Sequence, residues 1–99
     1  MRFDNIRLNK AFWILEHFSA ILVDVREKEE YEAFHLRGAV NIPYDELADH
    51  ELKKDRIYIF YCNNGIQSMR AARDCAMDGF HVYNVIGGLK GNEKDIDIQ

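Results

Sequence analysis

Ninety-nine residues are enough for one folding unit and too few for two, and 47% hydrophobic residues can build a core without disulfide staples. The formal net charge of −4, with Lys53, Lys54 and Arg56 interleaved among Glu51 and Asp55, leaves no basic tract for nucleic acid or an anionic membrane surface. The apolar runs are too short to span a bilayer and Met1–Asn5 lacks a signal-peptide core, so two cysteines suggest a reducing, cytoplasmic setting with free thiols.

With one proline, no Gly/Ser-rich linker and no repeat, residues 1–99 read as a single domain. Leu8, Ala11, Phe12, Leu15 and Phe18 recur at helical spacing and mark a first amphipathic helix, which places Phe12, Trp13 and Phe18 in the core. Ala20–Val23 is a short continuous apolar run, as in a strand covered on both faces. Glu27–Phe34, rich in Glu and Lys, suits a solvent-facing helix, and Ala39–Ile42 a short strand stopped by Pro43. Ile57–Tyr61 is entirely β-branched or aromatic and is the strongest strand candidate. Ser68–Asp78 reads as a helix with Ala71, Ala72, Cys75 and Ala76 on one face, ended by Gly79. His81–Val85 is a last strand before Gly87-Gly88. Buried strands alternating with helices define an α/β fold with a mostly parallel central sheet flanked by helices, a three-layer arrangement.

In such sheets functional groups gather just past the carboxyl ends of strands. Here that rule selects Asp24-Val25-Arg26 and the loop Cys62 to Ser68. Cys62 leaves the most apolar strand just before a helix, whose free N–H groups carry partial positive charge and favour thiolate. Asn64 and Gly65 tolerate the positive φ of a tight curl, so successive backbone N–H groups of the loop can form an anion nest around the sulfur. Cys62 is thus a candidate reactive cysteine; a buried cysteine ending a strand is the plain alternative.

The segment Tyr61-Cys62-Asn63-Asn64-Gly65-Ile66-Gln67-Ser68-Met69-Arg70-Ala71-Ala72 resembles the active-site loop and following helix of rhodanese domains. Gly79–Leu89 resembles the closing strand and Gly-Gly turn of that family, Leu22–Arg26 its Asp-Val-Arg strand end, and Tyr31 with His35–Pro43 its second signature. The pieces lie in family order from about Leu22 to Gly91. The resemblance implies a rhodanese-like fold and sulfur transfer: Cys62 takes sulfane sulfur from thiosulfate or a persulfide and passes it to a thiol or cyanide acceptor. The nest of Asn63 to Ser68 would cradle the charge, with no metal or cofactor. The resemblance assigns Asp24 and Arg26 a supporting role as an ion pair and allows a partner protein for sulfur relay; His35, at the start of a loop before Arg37-Gly38, is expected to hold the turn.

The sequence departs from the family at several points. Asn63 and Gln67 stand where relatives often carry a basic residue, which leaves the loop neutral. Phe34 replaces a glycine before His35, and Asn92 replaces a tryptophan. Arg70 is expected in the first turn of the following helix. A phosphatase loop needs Cys-x5-Arg, and Ser68 occupies the arginine place. The remaining alternative is a rhodanese-like interaction or sulfur-carrier module without turnover. His17, His50 and His81 share no ligand spacing, so a metal site is not expected. Cys75 reads as a core residue.

Overall fold

The computed structural model describes residues 2–96. Five strands, β1 (Asp4–Ile6), β2 (Ala20–Asp24), β3 (Val40–Asn41), β4 (Ile57–Tyr61) and β5 (His81–Val85), alternate with helices α1 (Leu8–His17), α2 (Lys28–Ala33) and α3 (Ile66–Met77). Tyr44–Asp49 and Lys90–Asp95 form short 3₁₀ segments. The strands make one sheet in the order β1-β5-β4-β2-β3, with every pairing parallel. The expected α/β fold is therefore found.

Alternation along β4 explains why the sheet needs cover on both faces. Tyr58 and Phe60 pack toward Ala71, Ala72, Cys75 and Ala76 of α3. Ile59 and Tyr61 pack toward Leu8, Ala11 and Ile14 of α1, together with Leu36 and Leu89. The small residues on α3 let that helix lie close against the aromatic rings. Fully burying a side chain such as Phe60 or Ile59 contributes about 1.5–3 kcal/mol, so this central strand contributes to the core on both faces of the sheet.

The sequence pattern misplaces some features. The strand β1 carries no apolar periodicity; Asp4-Asn5-Ile6 becomes extended because it adds to the open edge of β5, in register Asn5 with Asn84. Trp13 and Phe18 are not core residues: they are 45% and 53% exposed, and Phe12 is half-buried. The buried stripe of α1 is Leu8, Ala11 and Ile14, a face rotated from the one that the aromatic residues suggest. Trp13 instead stacks on His17 with ring centres 4.4 Å apart and meets Phe18 edge-on at 5.9 Å. As expected, α2 buries no residue; a reciprocal capping box between Glu27 and Glu30 starts it. The expected Ala39–Ile42 strand contracts to Val40–Asn41.

Helix α3 begins at Ile66, two residues earlier than the Ser68 start expected from sequence, because Gly65 turns the chain at φ 91°. Arg70 consequently falls in the second turn. Asn92, at the family's tryptophan place, is 2% exposed and acts as a polar staple. Its Oδ1 accepts from Leu8 N–H at 3.1 Å, and its Nδ2 donates to Ile86 O at 2.9 Å and Gly88 O at 2.7 Å. The start of α1 is thereby tied to the Gly87-Gly88 turn. Among the described residues no helix is long and apolar enough to cross a membrane.

Cys75 lies in the core at 6% exposure. Burial, reinforced by the charges of Asp78 and Asp74, pushes its thiol from 9.0 up to about 11. A raised folded-state value means that the folded chain holds the proton more tightly than the unfolded chain. The stabilisation is complete below pH 9.0 and is lost as pH rises toward about 11. Urea denaturation of wild type and Cys75→Ala between pH 8 and pH 11 should therefore show the steeper alkaline loss in wild type. Parallel pH dependences would contradict the buried neutral thiol.

Candidate active site

The carboxyl ends of β2 and β4 lie side by side, with Asp24 in register with Tyr61. Cys62 follows Tyr61 directly, so its loop leaves the sheet next to the Asp24-Val25-Arg26 segment. The loop is held by backbone on both sides. Leu89 N–H donates to Cys62 O at 3.0 Å and Lys90 N–H to Asn63 O at 2.9 Å. This stitching demands a very close approach: a Cβ on Gly65 would lie 2.8 Å from Gly87 N, and one on Gly88 would lie 2.5 Å from Cys62 O. Asn64 Oδ1 accepts from Ile66 N–H at 3.0 Å and starts the helix through a side-chain-closed turn. Positive φ is confined to glycines among the described residues, so Gly65 alone supplies the left-handed turn and Asn64 does not.

The curl aims selected N–H groups at the sulfur. Gly65 N lies 3.2 Å and Ser68 N 3.4 Å from Cys62 Sγ. The nest is thus narrower than the stretch from Asn63 to Ser68 anticipated from sequence, because the Ile66 N–H is spent on Asn64. The thiol can donate to Ser68 Oγ at 3.4 Å, with Asn64 Oδ1 a longer acceptor at 3.9 Å. Ser68 Oγ in turn donates to Asn84 Oδ1 at 2.6 Å, and Asn84 Nδ2 to Asn5 Oδ1 at 2.9 Å. Ser68 and Asn84 are buried, so this chain fixes the serine rotor beneath the sulfur.

A second polar knot lies beside the loop. Arg26 Nε bonds both oxygens of Asp24 at 3.0 Å, and Arg26 Nη2 meets Asp24 Oδ2 at 2.7 Å. Tyr61 OH donates to Asp24 Oδ2 at 2.7 Å and accepts from Leu36 N–H at 3.1 Å. The remaining guanidinium bonds reach Phe34 O at 2.7 Å and Asn63 Oδ1 at 3.4 Å. Burial by itself would lower the Arg26 pKa, but the hydrogen bond and charge of Asp24 outweigh it and raise it above its ordinary value. Burial and then the charge of Asp24 raise the Tyr61 phenol far above its usual range, which keeps it a neutral donor. Asp24 and Arg26 thus form the ion pair expected of them and tie β2, β4 and the Cys62 loop together. His35 stacks on Tyr31 at 3.8 Å with Nδ1 3.0 Å from Tyr31 O, holding the turn after α2 outside the cleft.

Above the sulfur is a cleft of about 290 Å³ lined by Arg26, Glu30, Cys62, Asn63, Asn64, Ile66, Gln67 and Arg70. Gly65 and Ser68 do not line it but donate their N–H groups to the sulfur. Cys62 itself is 3% exposed, so a reactant meets the loop surface before it meets the thiol. No three His, Cys, Asp or Glu side chains gather to hold a metal among the described residues. The sequence reading missed Glu30, the Tyr61 hydroxyl, Asn84 and the clamping role of Gly87-Gly88. A lone asparagine inside an otherwise apolar strand and a double glycine at a strand end were the available signals.

A parallel sheet with a cysteine loop at its carboxyl end, closed by a Gly-Gly turn, defines the class of the domain. Residues 10–95 match the model of the rhodanese-like domain, and the chain belongs to the rhodanese-like family. It is 40% identical over 74 residues to the uncharacterized protein YqhL of Bacillus subtilis, a match that covers 72% of this chain and 59% of that protein. It is 28% identical over 93 residues to the thiosulfate sulfurtransferase GlpE of Coxiella burnetii, covering 91% of this chain and 87% of that protein. The crystal structure of a rhodanese-related protein from Thermoplasma volcanium has a TM-score of 0.87 at 23% identity, covering 98% of each chain.

Removing one member of a buried ion pair leaves an uncompensated charge and costs about 3–5 kcal/mol. Arg26→Met should lower stability by about that amount, and Arg26→Lys should rescue little, because an ammonium cannot reproduce the planar fork to Asp24. The urea midpoint measures both, and a loss below about 1 kcal/mol for Arg26→Met, the range of exposed pairs, would contradict the bracing role.

Proposed function

We propose that the chain is a sulfurtransferase whose carrier is Cys62, with Gly65 and Ser68 supplying the N–H groups that hold charge on sulfur. The observation that carries this reading is the pair of backbone N–H groups within 3.4 Å of Cys62 Sγ at the start of α3. The Cys62 thiolate attacks the sulfane sulfur of thiosulfate, the S–S bond breaks, and sulfite leaves with the electron pair. A thiolate or cyanide then takes the outer sulfur from the Cys62 persulfide, giving a new persulfide or thiocyanate and restoring Cys62. Preorganised N–H groups stabilise the anionic sulfur without reorganising during the step. Asp24, Arg26 and His35 act as supports, and Asn63, Asn64, Ile66 and Gln67 form the surface a donor meets. The GlpE relative, named a thiosulfate sulfurtransferase, supports the same reaction class.

The amides of Asn63 and Gln67 give thiosulfate no counter-charge, Arg26 is already committed to Asp24, and Arg70 shares the cleft with the like charge of Glu30, so thiosulfate is a weak donor and organic persulfides better ones. The protein works in the cytoplasm as one domain over residues 1–99, and passes sulfur to a small thiol or to a partner protein's thiol.

Intact-protein mass spectrometry after exposure to thiosulfate, and separately to a small organic persulfide, should show one added sulfur atom on wild type. Cys62→Ser should gain none, and Cys75→Ala should gain it as wild type does. Sulfur mapped to Cys75 alone, or absent with both donors, would contradict the sulfurtransferase reading.

A further inference from the structure

The cleft over Cys62 is lined by side chains of opposite charge. Glu30 comes from α2 and Arg70 from α3, and both line the same space above the sulfur. Glu30 is fixed in place: its Oε2 accepts from Asn63 Nδ2 at 2.7 Å, and its Oε1 from Glu27 N–H at 3.3 Å. Arg26 also lines the cleft, but its guanidinium is spent on Asp24, Phe34 O and Asn63. Arg70 is exposed and forms no ion pair with a described residue, so it is the cation open to a ligand. The cleft, about 290 Å³, lies at the lower limit of roughly 300–1,000 Å³ typical of ligand sites, which favours a small donor over a coenzyme.

Resting on the sulfurtransferase reading, we infer that the preferred sulfur donor is a small zwitterionic persulfide of the amino-acid type, with its ammonium on Glu30 and its carboxylate on Arg70. A dianion meets Glu30 as a like charge, whereas a zwitterion satisfies both side chains. The Cys62 thiolate attacks the outer sulfur of R–S–SH and the S–S bond breaks. The electron pair leaves on R–S⁻, and the outer sulfur keeps its proton as Cys62–S–SH. No oxidant or reductant is required. Ile66, 54% exposed on the cleft wall, offers apolar contact to the donor's methylene.

Three donors separate the contributions: cysteine persulfide carries both charges, 3-mercaptopropionate persulfide only the carboxylate, and cysteamine persulfide only the ammonium. Exposed ion pairs correspond to factors of up to about 5 in an equilibrium or rate. Wild-type kcat/KM at low ionic strength should therefore favour cysteine persulfide by about 3–5-fold over each of the others. Glu30→Gln removes the charge and keeps one acceptor oxygen, for Asn63 Nδ2 or for Glu27 N–H. It should lower the rate with cysteine persulfide, raise that with 3-mercaptopropionate persulfide, and so erase their difference. Arg70→Gln should instead erase the difference between cysteine and cysteamine persulfides, and added salt should reduce each preference. Equal wild-type rates with all three donors, or a Glu30→Gln effect common to all three, would overturn the donor assignment while leaving sulfur transfer standing. Failure of every donor to load Cys62 would overturn both.

Discussion

The site depends on one steric constraint: the Cys62 loop and the Gly87-Gly88 turn meet backbone to backbone. A side chain on Gly65 or Gly88 would intrude to within 2.8 Å of Gly87 N and 2.5 Å of Cys62 O, respectively. That contact is possible only because the glycines bear no Cβ and occupy the left-handed region. From it follows the curl of the loop, and from the curl the direction of the Gly65 and Ser68 N–H groups. Asn92 extends the constraint by bonding the turn to the first residue of α1. The polar staple thus does by hydrogen bonding what a bulky aromatic residue could do by packing.

The groups that donate to Cys62 Sγ are backbone N–H dipoles and not a neighbouring cation. The nearest buried cation, Arg26, has its charge balanced by Asp24, with Tyr61 completing the carboxylate's bonds. A buried charge must be paired and hydrogen-bonded to be tolerated, and this knot meets both demands at the ends of β2 and β4. Its role is positional: it fixes the neighbouring Asn63 side chain, which also contacts Glu30. Beneath the sulfur, the bond from Ser68 to Asn84 makes the hydroxyl a rigid floor. Cys62 Sγ is therefore surrounded by groups whose own positions are fixed by other bonds, the arrangement that electrostatic preorganisation requires.

Much of this was legible because strong local signals agreed with the tertiary packing. The all-apolar Ile57–Tyr61 could only be a buried strand, the alanines of α3 could only face it, and Cys62 had to emerge at its carboxyl end. The ordered motifs around Asp24, Cys62 and Gly87-Gly88 supplied the family. What failed had no local signal. The strand at Asp4–Ile6 exists because β5 offers it hydrogen bonds, and Trp13 and Phe18 keep helical spacing while lying on the outer face. Glu30 was hidden because only the fold brings residues of α2 and α3 to line one cleft. The narrower nest has a similar cause: the side chain of Asn64 captures one N–H that spacing alone assigned to the sulfur.

The central claim is that the N–H groups of Gly65 and Ser68, and no others in the loop, hold the charge of Cys62. A hydrogen bond strengthens when its acceptor becomes ionised, and the donor proton moves downfield. Proton–nitrogen correlation spectra recorded as Cys62 passes from thiol to thiolate, with Cys62→Ser as reference, measure this residue by residue. The account predicts the largest downfield changes at Gly65 and Ser68, with Ile66 little moved. Changes centred on Asn63, Asn64 or Ile66, with Gly65 and Ser68 unmoved, would contradict it.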